Sequence, residues 1–244
     1  MVISTEERKC TICGATELYD TLFSCPKYGY EELDFRPSPP FGDALGLLIE
    51  KCPNCGYVAR TIQYLPYTRG YITRMLESDT YRRCEGKQFH SRTAEAYYQK
   101  LILAKKREKK VELLRMLQNV IWSCDNDKQD AGNAEELRND AVFIISQILE
   151  DDTERESLTR PRQEELKLIQ VDYLRRNHRF EEATVTAMEY GPNVCYTAKV
   201  ILAYQMELIH QKDVDRHNVG EIMDHHPQVG IISLDSLWLE SDIE

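Results

Sequence analysis

Two stretches decide how this chain is read: Cys10-Thr11-Ile12-Cys13-Gly14 and Cys52-Pro53-Asn54-Cys55-Gly56. Each places two thiols on one tight turn, and the glycine after the second thiol permits a backbone angle that turns amide groups toward the sulfurs. Two such turns supply four soft ligands, the complement of a closed tetrahedral metal site. One structural Zn2+ held by Cys10, Cys13, Cys52 and Cys55 is therefore expected.

Working outward, the knuckles predict a small zinc ribbon in which residues 14–51 carry structure of their own. Residues 18–24 read as a strand, residues 45–51 as a second apolar run leading into the second knuckle, and residues 57–63 as a third strand. Between the first two lies Arg36-Pro37-Ser38-Pro39-Pro40-Phe41-Gly42-Asp43, whose prolines cannot complete a sheet ladder and predict an extended surface loop. The competing reading of the four cysteines, as disulfides or ordinary buried thiols, sits poorly with the repeated knuckle. It also conflicts with a start that lacks an apolar segment after basic residues, which predicts a cytoplasmic, reducing location. A ribbon this small buries little apolar surface, so the metal is expected to supply much of its folding free energy.

Four further cysteines stand outside the set. Cys25-Pro26-Lys27-Tyr28-Gly29-Tyr30 copies the second knuckle with tyrosine where the second ligand would be, and Cys25 reads as a packed small hydrophobe rather than an alternative ligand. Cys84, Cys124 and Cys195 lie singly in helical patterns and are expected to be buried structural thiols.

The chain has 244 residues, 42% of them hydrophobic, which is ample for a core. No run approaches the roughly 18 apolar residues of a membrane span. Glycine and proline thin out after Pro66, which predicts a ribbon over 1–68, a helical region over 69–220 and a tail or cap over 221–244. Apolar residues then recur at helical spacing, as in Ala94, Tyr97, Tyr98, Leu101 and Ile102. Helices are expected near 69–84, 89–106, 108–124, 133–150, 161–177, 180–190 and 194–211. Short links between them predict antiparallel hairpins stacked in series, a mostly α fold after a small β ribbon.

One pair carries a signature. Leu166, Ile169 and Tyr173, followed by Phe180 and Ala183, resemble a tetratricopeptide repeat, in which a small residue on the second helix lets two backbones approach closely. The repeat's usual glycine on the first helix and its closing proline are absent, although Pro192 lies nearby. Taken with the Cys52-Pro53-Asn54-Cys55-Gly56-Tyr57 knuckle and the Cys25-Pro26 element, the order of parts resembles an uncharacterised bacterial zinc-ribbon family with tetratricopeptide-like helices. That resemblance implies a fold and a metal, and no reaction.

The net charge is −10. Residues 71–110 hold eleven Lys or Arg against five Asp or Glu, whereas 111–244 hold thirteen against twenty-seven. The basic part centres on Lys105-Lys106-Arg107-Glu108-Lys109-Lys110. Arg82, Arg83, Lys105, Lys106 and Arg107 form the candidate nucleic-acid surface of an alternative reading. An acidic chain repels phosphate over much of its surface, so an adaptor binding a protein or peptide through its helices fits the balance better.

No enzyme motif is complete: there is no Walker loop, Rossmann fingerprint, nucleophile elbow or His-Glu-x-x-His helix. Asp224-His225-His226 resembles one element of metal-dependent phosphoesterases but stands without the carboxylates those sites need. His210 and His217, close in sequence, fit equally well as members of a weak metal cluster and as surface histidines on a polar tail. The pairs Glu164-Glu165 and Glu181-Glu182 are expected to be helix-start, solvent-facing acids. The segment around Leu237, Trp238 and Leu239 is expected to cap the array. The chain is thus predicted to be a non-enzymatic zinc-binding adaptor.

Overall fold

The computed structural model describes residues 1–26 and 28–225, with side chains described through residue 222. The expected cap and the Asp224-His225-His226 element lie outside this range apart from helical backbone at 224–225. The chain divides into two compact units. The first comprises residues 1–28 and 38–141, the second residues 29–37 and 142 onward. Helices that follow the ribbon in sequence therefore stand in the same unit as the knuckles, and a short segment from between the knuckles stands in the other.

In the first unit, strands β1 (Val2–Lys9) and β2 (Thr16–Ser24) pair antiparallel from Lys9 with Thr16 outward to Val2 with Ser24. Strands β3 (Glu50–Lys51) and β4 (Val58–Ala59) form a second, two-rung hairpin. The expected three-stranded ribbon is thus two separate two-stranded sheets. Residues 45–48 form a 3₁₀ turn instead of a strand, because the run packs on a helix rather than a strand partner: Tyr97 donates its hydroxyl to the Leu45 carbonyl at 3.0 Å. Residues 60–63 leave the sheet because the Ile62 amide is taken by the Glu50 carboxylate at 2.8 Å.

Helices α1 (Arg69–Glu77), α2 (Asp79–Arg82), α3 (Arg92–Ala104) and α4 (Lys110–Asp125) follow. The expected helix over 69–84 breaks at Ser78, whose hydroxyl caps α2 by accepting the Tyr81 amide. Helix α3 packs on α4 through the predicted stripe, with Ala94, Tyr97, Tyr98, Leu101 and Ile102 all buried. Cys84 and Cys124 are buried as expected, and burial pushes the Cys84 thiol up to about 11.

Helix α5 (Ala131–Glu150) runs from the first unit into the second, which continues with α6 (Asp152–Glu156), α7 (Arg160–Arg176), α8 (Phe180–Tyr190), α9 (Tyr196–His210) and α10 (Val219–His225). Between α7 and α8 the chain turns with His178 left-handed at φ 59°, and the two helices pack with Leu166, Ile169, Tyr173 and Ala183 fully buried and Phe180 half-buried.

Two expectations fail in this unit. Glu164 and Glu165 are buried, not solvent-facing. Arg160 reaches Glu164 at 3.0 Å, the Cys195 amide donates to the same carboxylate at 3.0 Å, and Arg162 pairs with Glu165. Glu181 and Glu182 are exposed as expected. Cys195 is exposed rather than buried, because it is the N-cap of α9 and its side chain precedes the helix's apolar face.

The first part of the second unit is the excursion 29–37. It forms a bridge between Glu32 and Asn218, with the Leu33 amide donating to the His217 carbonyl at 2.9 Å and the Val219 amide to the Glu31 carbonyl at 2.8 Å. Leu33, Asp34, Phe35 and Arg36 are buried, and Asp34 pairs with Arg176 at 3.3 Å. The expected surface loop over 36–43 therefore begins with a buried arginine.

Candidate metal centre

Each knuckle is the turn of a hairpin. Cys10 follows β1 directly, and its amide donates to the Ala15 carbonyl at 2.8 Å while the Gly14 amide donates back to the Cys10 carbonyl at 2.9 Å. The second knuckle repeats this after β3: the Cys52 amide donates to the Tyr57 carbonyl at 2.8 Å and the Gly56 amide to the Cys52 carbonyl at 2.9 Å. Gly14 and Gly56 have φ of 78° and 76°, the left-handed conformation the turn needs and other residues adopt at a cost.

The four sulfurs lie within 4.8 Å of one another. Across the knuckles, Cys10 Sγ stands 3.7 Å from Cys55 Sγ and Cys13 Sγ 3.6 Å from Cys52 Sγ. A metal–sulfur length of about 2.3 Å gives a tetrahedral edge of about 3.8 Å, so the cross-knuckle pairs have the separation of zinc ligands. All eight cysteines are free thiols. The four sulfurs can hold a metal ion.

Surroundings hold the site in place. Cys10 and Cys52 are buried, Cys55 is half-buried and Cys13 is exposed. The Asn54 side chain bonds Cys13 from the opposite knuckle and brings its thiol down to about 6, while burial pushes Cys52 and Cys55 up. Thr11 clasps the Ile62 carbonyl with both its amide (3.0 Å) and its hydroxyl (2.9 Å). Tyr81 of α2 donates to the Gly56 carbonyl at 2.7 Å, and Tyr19 of β2 donates to the Lys51 carbonyl at 3.0 Å. Glu50, Thr11, Asn54 and Tyr81 have no motif of their own in the sequence. Only Thr11 and Asn54, by their places inside the knuckles, carried a local signal.

Cys25 is half-buried and faces the Pro26 carbonyl at 3.6 Å, outside the four-sulfur group. Among the described residues no other cluster of His, Cys, Asp and Glu is arranged to hold a metal. The His217 ring lies instead between two carboxylates, Asp213 at 3.1 Å and Glu221 at 2.6 Å, and His210 is exposed.

All five candidate nucleic-acid residues are exposed, and four of them also have a neighbour within the chain. Lys105 pairs with Glu85, Arg83 lies 3.9 Å from Asp79, Arg107 stacks 4.4 Å over the Tyr71 ring, and Arg82 donates to the Leu76 carbonyl at 2.9 Å. Lys106 is exposed.

No protein-family model matches this chain, and no curated protein or solved structure is significantly similar to it. The resemblance to a zinc-ribbon family thus stands on the knuckles and the helix pattern themselves. No helix among the described residues is long and apolar enough to cross a membrane.

Proposed function

We propose that Cys10, Cys13, Cys52 and Cys55 hold one structural Zn2+ and that the chain is a non-enzymatic, cytoplasmic adaptor whose tetratricopeptide-like helices bind a protein or peptide. The observation that carries the metal is the pair of cross-knuckle sulfur separations, 3.7 and 3.6 Å, which match the edge of a tetrahedral zinc–thiolate site. Four thiolates leave no coordination position for water or substrate, which supports a structural rather than a catalytic ion. The helical unit supports the adaptor part: Val185 and Met188 of α8 and Tyr196 of α9 are large apolar side chains left exposed. The net charge of −10, which repels phosphate over much of the surface, favours the adaptor reading over the basic helices as the main contact surface.

Elemental analysis of the purified chain tests the metal, with one zinc per chain expected. Binding to an immobilised partner, compared between the parent and a chain with charge reversal at Lys105, Lys106 and Arg107, tests the rest. Adaptor binding survives the reversal. Nucleic acid that co-purifies with the parent and is lost on reversal overturns the adaptor reading.

A further inference from the structure

The four sulfurs of the candidate centre are not equally sheltered. Cys10 and Cys52 are buried and Cys55 is half-buried, while Cys13 is exposed. In front of it opens a cleft of about 530 Å3 whose walls include Lys9, Thr11, Cys13, Gln63 and Arg69, all of them in the first unit. Cys10 also borders the cleft but is only 1% exposed, so Cys13 is the ligand residue that a small solute entering there can reach. Behind it, on the opposite knuckle, the Cys52 sulfur stands 3.6 Å away. An accessible thiolate with a second thiolate beside it is the arrangement of an oxidisable cysteine and its resolving partner.

We infer that Cys13 is an oxidation site for a hydroperoxide entering this cleft and that Cys52 resolves it, an inference that rests on the metal reading above. Service as a metal ligand keeps the Cys13 sulfur a thiolate, the nucleophilic form. That sulfur attacks one oxygen of the peroxide; the O–O bond breaks, hydroxide leaves, and Cys13 becomes a sulfenic acid, oxidised by two electrons as the peroxide is reduced. The Cys52 thiolate then attacks the sulfenic sulfur, the S–O bond breaks with loss of a second hydroxide, and a Cys13–Cys52 disulfide forms. Lys9 and Arg69 place positive charge on the walls of the cleft, which favours the departing hydroxide. Two thiolates remain, half of the closed tetrahedral set, so the ion is released.

Hydrogen peroxide added to the zinc-loaded full chain tests this. The chain used carries Cys25→Ser and Cys195→Ser, which remove the half-buried and exposed thiols outside the ligand set, while Cys84 and Cys124 are buried. Zinc release is followed with a chromogenic chelator, and the oxidised sulfurs are located by differential alkylation and peptide mass spectrometry. The first disulfide is expected to join Cys13 to Cys52, to form in step with zinc release, and to be reversed by a thiol reductant with re-uptake of zinc. A second arm uses Cys13→His, because imidazole can take the fourth corner of a tetrahedral zinc site while removing the exposed sulfur. Peroxide is expected to release zinc from it at least about fivefold more slowly. A first disulfide that leaves Cys13 reduced overturns the inference and leaves the metal standing, and so does release from the Cys13→His chain at the parent's rate. The mapped disulfide decides the matter even for a Cys13→His chain that holds no zinc. A parent chain that takes up no zinc overturns the metal reading and the inference with it.

Discussion

The Glu50 carboxylate accepts the backbone amide of Ile62 at 2.8 Å, and through that bond the strand entering the second knuckle holds the segment that covers the first. Ile62 in turn offers its carbonyl to Thr11, inside the first knuckle, so one buried acid ties both metal-binding turns together. Glu50 is 4% exposed and Arg8 supplies its counter-charge at 3.3 Å. Glu50→Ala removes the acceptor and leaves a buried amide unpaired, and is expected to destabilise the first unit by about 2–4 kcal/mol. Urea unfolding of the zinc-bound chain measures this, and a loss under about 0.5 kcal/mol would show the tie to be unimportant.

Serine at Cys13 or Cys52 is expected to abolish stoichiometric zinc, because three thiolates and a hydroxyl bind far more weakly than four thiolates. Cys25→Ser is the matched control: it lies outside the four-sulfur group and is expected to retain one zinc per chain. Metal loss in the Cys25 variant would show that the ligand set is wrong.

Gly56→Ala tests the knuckle's backbone separately from its sulfurs. No atom lies within 4 Å of the added methyl, so its cost is conformational, from holding alanine at a φ of 76°. A destabilisation of about 1–2 kcal/mol is expected, with zinc still bound. An unchanged denaturation midpoint would mean that the turn relaxes to another conformation.

In the second unit, Arg175 is 0% exposed and meets Asp172 at 2.7 Å while donating to the carbonyls of Asp213 and Asp215. Asp172→Ala leaves the buried guanidinium with only the more distant Asp213 carboxylate, 3.6 Å away, and is expected to cost about 3 kcal/mol. Adding Arg175→Met should give a double variant less damaged than the sum of the singles, the mark of a direct pair; strict additivity would rule the pairing out.

Glu32 gives this unit a pH dependence. Burial, with the Asp34 carboxylate nearby, pushes it up to about 7 against the partial relief of Arg216, Arg36 and Arg176. Between the unfolded value near 4.5 and about 7 the folded state holds a proton that the unfolded state has released, so stability falls as pH rises through that window. Glu32→Gln is expected to gain on the parent across the same window, its melting temperature relative to the parent's being higher at pH 8 than at pH 4.5. A difference that stays flat with pH would refute the assignment.

How far these features were legible in the sequence follows from whether their cause is local. The knuckles were, since a turn of five residues contains its own geometry. So were α7 and α8, whose buried stripes fix them at Arg160–Arg176 and Phe180–Tyr190 against expected spans of 161–177 and 180–190. Strand β1 was not: its half-buried face is Ser4, Glu6 and Arg8, polar residues that leave no apolar alternation to find. Residues 45–48 misled because an apolar run is the same signal whether it meets a strand or, as here, the Tyr97 side chain, while Glu50–Lys51 are a strand. Glu164 and Glu165 misled for a related reason, their arginine partners being visible in sequence but their burial not. The docking of 29–37 depends on residues 217–219, whose closeness no local pattern announces.

The matching hydrogen bonds of the two knuckles, Cys10 to Ala15 and Cys52 to Tyr57, also bear on which ions this chain accepts. Amides help set where each pair of sulfurs points, so the turns favour a tetrahedral arrangement that a bound ion would consolidate. Ions content with four sulfurs at tetrahedral corners enter without rearranging it. Those that favour a square plane, such as Ni2+ or Cu2+, must bend the turns to bind, and the fold itself becomes the filter against competitors that outrank zinc in raw affinity.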